Sequence, residues 1–169
     1  MDILEAILTR RSIRKYENKP VEEALVKELL AAAMAAPSAG NQQPWHFVVV
    51  TEREKLDALS HVHPYVTMLR QAPLAILVCA DPKVEKFPGN WVLDCAAATQ
   101  NLLLAAHGLG LGAVWTGLYP DAARMTSVTE LMKLPAHIQP HSLVPLGWPA
   151  QKPGRQDRYN DERVHHNGW

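Results

Sequence analysis

The apolar positions of this chain change period several times, and each change marks an element. Residues 2 to 9 place Ile3/Ile7 and Leu4/Leu8 at i,i+4, with Asp2 in capping position and Glu5 three residues on, which predicts a short helix. Arg10 and Arg11 fall at or just past its C-terminal end, where cations suit the helix dipole. Pro20 opens a second helix over 21–36, with Glu22 and Glu23 in its first turn and Leu25, Leu29 and Leu30 on its apolar face. Its last stretch, A-A-A-M-A-A, is small and apolar almost all round and predicts close packing against another helix before Pro37 stops it. After the loop P-S-A-G-N-Q-Q-P-W (37–45), H-F-V-V-V-T (46–51) reads as a buried strand and 52–60 as a polar, exposed helix. A shorter helix over 65–71 leads into a second buried strand, L-A-I-L-V-C-A (74–80). Such unbroken apolar runs predict a sheet covered on both faces. Residues 91–107 form the longest helix, apolar nearly all round and hence central, with Gly108 and Gly110 able to end it. A third strand over 112–117, a helical segment near 126–133 and a fourth strand over 141–147 complete the pattern. The tail is polar and rich in Pro and Arg, yet ends in Trp169. No internal repeat occurs, and no domain boundary is marked before the tail.

Composition narrows the class. A chain of 169 residues with 47% apolar content predicts one domain with a substantial core. Seventeen basic residues balance seventeen acidic ones. A dedicated nucleic-acid binder carries a basic excess to displace counterions from phosphates, so this balance argues against that role. No apolar run reaches the ~18 residues of a membrane span, and the start M-D-I-L-E-A-I-L lacks the basic region of a secretory signal. Cys79 and Cys95 both lie inside apolar runs and read as buried, reduced thiols. A cytoplasmic protein that binds neither membrane nor nucleic acid is expected.

Most standard chemistry has no anchor here. H-G-L-G-L-G (107–112) follows a helix and precedes a strand, the reverse of a dinucleotide fingerprint, and reads as a helix end and turn. No P-loop and no G-x-S-x-G elbow occurs, and the eight histidines include no H-x-x-x-H pair on a helix. Three polar segments remain at the ends of apolar elements. R-R-S-I-R-K-Y (10–16) offers guanidinium forks and a hydroxyl suited to a phosphate monoester. P-S-A-G-N-Q-Q-P-W offers short amides, a hydroxyl and small residues that let a ligand approach the backbone, and G-R-Q-D-R-Y adds Arg155 and Arg158. Each alone reads equally well as a solvated loop. Together, with no acid–base or metal constellation, they suggest a phosphorylated planar cofactor that carries the chemistry itself.

These residues resemble the FMN-dependent nitroreductase family in its short single-domain form, nearly end to end. The resemblance rests on R-R-S-I-R-K-Y, then P-S-A-G-N-Q-Q-P-W-H-F, then D-x-x-x-A-x-Q-N-L-L-L-A-A-x-x-L-G-L-G from Asp94 to Gly112, then L-G-W-P and the tail D-R-Y-N-D-E-R-V-H-H-N-G-W. It implies an α+β fold: a mixed, mainly antiparallel sheet flanked by helices, built as an intertwined homodimer with FMN at the interface. Residues 1–169 would form one domain, with 150–169 a C-terminal arm wrapping the partner subunit. Arg10, Arg11, Ser12 and Arg14 match the cradle for the FMN phosphate, ribityl chain and pyrimidine edge, with Arg14 favouring negative charge at flavin N1/O2. Pro37, Ser38, Ala39 and Asn41, with Gln43 beside them, match the segment contributed by the other subunit. Trp115, Thr116 and Gly117 match the strand end that approaches flavin N5 and O4. Arg158 matches the arginine that closes on the phosphate. Where many relatives carry a Lys two residues earlier this chain has Gln156, which would either weaken phosphate binding or shift that task to Arg155. The segment 63–71 lacks the Asn and Lys of larger members, and their helical insertion over the pocket is absent.

The implied activity is FMN-dependent NAD(P)H oxidoreduction. Ping-pong hydride transfer from NADH or NADPH would run through flavin N5 to nitroaromatics, quinones or similar planar acceptors, with no essential protein acid or base. Tyr65, Trp91 and Trp115 are candidate aromatic walls of the acceptor pocket. Asp94, inside an apolar helix, needs a hydrogen-bonding partner and is expected to be structural. A specialised flavin enzyme of the same fold, such as a dehalogenase or ene-reductase, and a non-enzymatic flavin-binding dimer remain alternatives.

Overall fold

The computed structural model describes residues 1–169. Helix α1 (Ile3–Thr9) is capped by Asp2, whose carboxylate accepts from Glu5 N at 2.9 Å. Helix α2 (Glu23–Met34) is followed by a tight loop and strand β1 (Trp45–Val50). Helix α3 (Arg53–Leu59), a 3-10 turn over Pro64–Arg70 and strand β2 (Leu74–Ala80) come next. Helix α4 (Trp91–Gly108) precedes the short strands β3 (Gly112–Ala113) and β4 (Thr116–Gly117), helix α5 (Ala122–Met132) and strand β5 (Gln139–Gly147).

The sheet order is β1-β2-β5-β3, with β4 also on β5, and all these pairings are antiparallel. A parallel bridge between Ser12 and Ala113 makes it mixed. Every residue of β2 is buried, as the unbroken apolar run predicts. One core cluster packs α2 and α4 on one face of the sheet, with Leu29, Ala33, Ile76, Val78, Ala98 and Leu102 inside it. A second, on the other face, gathers Leu56, Leu59, Val66, Leu69, Leu77 and Leu143.

Three expectations are corrected. The expected strand over 112–117 is two short ones, although the pairing register with β5 is continuous across the gap. Val114 N donates to Pro145 O at 3.3 Å, and Pro145 has no N–H to give back. Helix α3 is not simply exposed, because Leu56 and Leu59 turn one face into the second cluster. The short helix expected over 65–71 is present as a 3-10 helix, Pro64–Arg70. Helix α5 begins four residues earlier than expected, at Ala122, because Asp121 caps it by accepting from Arg124 N.

Three features position the loops. Helix α4 ends at Gly108, and Gly110 turns the chain with φ +79°. Ile13 N donates to Ala113 O at 3.0 Å, and the Tyr16 hydroxyl donates to Ile13 O at 2.7 Å and Pro145 O at 3.1 Å. The arginine segment is thereby laid along the β3 edge of the sheet. It comes so close that a Cβ on Gly112 would stand 2.6 Å from Ile13 Cγ2, and only glycine fits there.

Candidate cofactor site

The arginine segment faces a polar cavity of about 410 Å³ lined by Arg10, Arg11, Ser12, Arg14, Gln151, Pro153 and Arg158. No acidic side chain lines it, and none of its four arginines is in an ion pair. The Arg10 pKa is held below its usual value, first by burial and then by Arg158 and Arg11. Arg11 Nε is buried without a partner. Four cations converging with no counter-charge form an anion site, and a phosphate monoester with nearly two negative charges fits such a donor set. Gln156, standing where a Lys was noted as usual, accepts from Arg11 Nη1 at 3.0 Å and from Arg158 Nη2 at 3.3 Å. It therefore links the segment to the tail. Arg155 lies at the rim, in cavities it shares with Arg11.

A second cleft of about 420 Å³ adjoins, and Arg14 lines both. Its walls include His63, Tyr65, Met68, Trp115, Thr116, Gly117 and Arg124. Tyr65 is 69% exposed and free to take a ligand against its ring. Trp91, expected beside Tyr65, is instead buried in the main core, edge-on to Tyr119 at 4.9 Å. Its position at the start of α4 turns it toward the sheet. Its neighbour His141 carries Trp115 at 5.5 Å between ring centres. Sequence reading had not singled out His63 or Arg124. His63 is buried, its Nδ1 accepts from Tyr65 N at 3.2 Å, and burial lowers its pKa. Neither lies in a motif, and only the tertiary packing brings them to the cleft.

The loop around Pro37, Ser38, Ala39, Asn41 and Gln43 lies elsewhere. Asp94, buried in the first turn of α4, accepts from Ala39 N at 2.9 Å and from Gln42 Nε2 at 2.7 Å. This is the partner a buried carboxylate requires. Gln42 Oε1 in turn accepts from Lys86 N at 2.9 Å and Phe87 N at 3.3 Å. Gly40, Asn41 and Gln43 all have φ near +50°, a conformation held by Ser38 Oγ accepting from Gln43 N and by Gln43 Nε2 donating to Asn41 Oδ1. The arginine segment sits at the other end of α4, where Thr9 Oγ1 and His107 Nε2 are 2.9 Å apart. At the helical rise per residue, Asp94 and His107 stand about 20 Å apart. Within one subunit the loop and the arginine cavity do not meet.

An α+β chain with a cluster of unpaired arginines beside an open, partly aromatic cleft has the form of a cofactor-dependent enzyme. It belongs to the nitroreductase family, whose model matches residues 7–63 and 56–148. A Methanothermobacter thermautotrophicus protein, provisionally named NADH dehydrogenase/NAD(P)H nitroreductase, is 53% identical over all of this chain and 88% of its own length. A solved Parabacteroides distasonis structure with the same provisional name superposes with a TM-score of 0.95 at 46% identity, covering 99% of this chain and 98% of that one. A provisionally named nitroreductase from Desulfovibrio desulfuricans, solved in complex with FMN, superposes with a TM-score of 0.86 at 32% identity, covering 100% of this chain and 98% of that one.

Proposed function

We propose that the protein is an FMN-dependent NAD(P)H oxidoreductase that works as a homodimer and reduces nitroaromatics, quinones or similar planar acceptors. The observation that carries this is the pair of adjoining cavities joined by Arg14: unpaired arginines in one, an open cleft with Tyr65 and Trp115 in the other. A phosphate and a flat ring on one molecule match the two in order. The redox chemistry, two-electron transfer from NAD(P)H to the acceptor, is what FMN supplies when bound.

The chain's own residues bind and orient. Arg10, Arg11, Ser12 and Arg158 hold the phosphate, with Arg155 at the rim. Arg14 sets a positive charge between phosphate and ring, favouring negative charge on the pyrimidine side. Trp115, Thr116 and Gly117 form the strand end against the ring, and Tyr65 offers an aromatic wall. None of these must act as an acid or base. The names of the similar proteins and the FMN complex support this reading.

Dimerisation is supported by two features. Helix α1 buries no residue within the subunit and exposes Ile3, Leu4, Ile7 and Leu8. The ordered loop 37–43, about 20 Å along α4 from the arginine cavity, suits a segment that completes a partner's site. The tail from 150 onward is largely exposed and Trp169 is bare, which suits an arm lying on a partner. No helix is long and apolar enough to cross a membrane, and a cytoplasmic location with no nucleic-acid partner is part of the reading.

The test is direct. Purified protein should be yellow, release FMN on denaturation, and bleach anaerobically with NADH or NADPH. A colourless protein whose melting temperature does not rise with added FMN would sink the proposal, and bleaching by neither nucleotide would favour a non-enzymatic flavin-binding dimer.

A further inference from the structure

We propose that Arg124, braced by Asp121, is a positioning residue for the strand end Thr116–Gly117 and hence for the cofactor ring against it; this rests on the flavin reading above. Strand β4 is only two residues long, and where a Cβ of Gly117 would stand the nearest atom is Tyr119 O at 3.9 Å. Neither a packed side chain nor a long ladder fixes that peptide. On the sheet side the Thr116 hydroxyl donates to Leu143 O, and Leu118 N and Tyr119 N both donate to His141 O at 3.1 Å. On the other side the hold on Gly117 O is Arg124, whose Nη1 donates to it at 3.1 Å.

Arg124 is itself held at both ends by one carboxylate. Asp121 Oδ2 lies 3.1 Å from its Nε, and Asp121 Oδ1 accepts from its backbone N at 3.1 Å. That second bond is also the N-cap of α5, so the brace is built into the start of a helix. The guanidinium lines the same cleft as Arg14, Tyr65 and Gly117, 5.9 Å from the Tyr65 ring centre. With Nε held on Asp121 and Nη1 on the Gly117 carbonyl, the planar guanidinium fixes the direction of that bond better than a freely turning ammonium could. If Arg124 were merely structural, only stability would depend on it.

The experiment compares Arg124→Ala, Arg124→Lys and Asp121→Asn with the unaltered full-length protein, each titrated with FMN. The phosphate cradle shares no side chain with Arg124, so FMN affinity should stay within about threefold. The visible absorption of bound FMN should shift, and anaerobic bleaching by NADH or NADPH should slow about tenfold in Arg124→Ala, the scale of a small misplacement in a reacting pair. Arg124→Lys should recover part of the rate, because an ammonium still donates to a carbonyl. An Arg124→Ala variant that binds FMN with unaltered spectrum and rate overturns the inference while leaving the flavin reading intact. Should Arg124→Ala fail to fold, Asp121→Asn decides: it keeps the arginine and loses the brace, so an unaltered spectrum and rate there overturn the inference equally. If the unaltered protein binds no FMN, the flavin reading fails and the inference with it.

Discussion

Arg158 reaches the cradle from a tail with little other anchorage, bonded only to Gln156. In the proposed reading the cofactor phosphate lies between it and Arg10, whose pKa it already depresses. Losing one charge-assisted contact removes about 1.5–3 kcal/mol, so Arg158→Ala should weaken FMN binding about 10- to 100-fold by flavin-fluorescence titration while the protein stays dimeric. Unchanged affinity would refute this arginine's role. His141 gives a second residue-scale prediction. It is buried with Nδ1 unpartnered, and burial holds its pKa down at about 4. The unfolded chain takes up this proton near the ordinary pKa of about 6.5, and the folded protein only near 4. The fold is therefore fully favoured above that ordinary value and loses stability as pH falls through the window, by about 3 kcal/mol from this group. His63 and His107, also lowered by burial, act in the same direction. Urea midpoints measured from pH 7 to pH 4 should fall, and His141→Gln should flatten the slope.

Two elements carry the segments proposed to hold the cofactor, and each depends on a contact that propensity does not encode. At the start of α4, the Asp94 carboxylate clamps the loop 37–43 through Ala39 and Gln42. Asp94→Asn turns one acceptor into a donor facing Gln42, leaving a buried group unsatisfied. It should cost about 1–3 kcal/mol in denaturant unfolding and weaken FMN binding as well. An unchanged unfolding midpoint would argue against the clamp. At the β3 edge, Gly112→Ala drives a methyl into Ile13, which is buried and tied to Ala113 by its backbone. Overpacking of this kind costs about 1–3 kcal/mol, and because Ile13 sits between Arg11 and Arg14, calorimetry should show FMN affinity falling together with melting temperature. The long periodic elements were legible because burial repeats with their period. The boundaries missed were local: the Asp121 cap, the Pro145 interruption and the buried side of α3.

At the scale of the whole molecule, the proposed dimer accounts for apolar surface that one chain leaves uncovered. Helix α1 exposes Ile3, Leu4, Ile7 and Leu8, and α4 exposes Leu93, an apolar surface that water does not favour. Sedimentation should give a dimer. An Ile3→Glu/Leu4→Glu variant should sediment as a monomer and lose FMN, since in the proposed dimer the cofactor lies at the interface and leaves when the interface does. A monomeric variant that stays yellow would separate cofactor binding from assembly.

The order of elements, the two-sided burial of the sheet and the polar segments at 10–16 and 37–45 could be read from the chain, whereas the strand end at 115–117 was matched only through the family resemblance. Each depends on residues close together in sequence: a period, a cap, a run of guanidinium groups. Asp94's need for a partner was equally plain, because a carboxylate inside an apolar helix cannot stay unpaired. The chain alone could not say that the partner is the loop 37–43, that Trp91 turns into the core while Tyr65 stays open, or that His63 and Arg124 line the cleft with Arg14. Those facts depend on which surfaces meet when the sheet closes between its helices. That meeting is governed by packing between distant segments, which no local pattern of residues records.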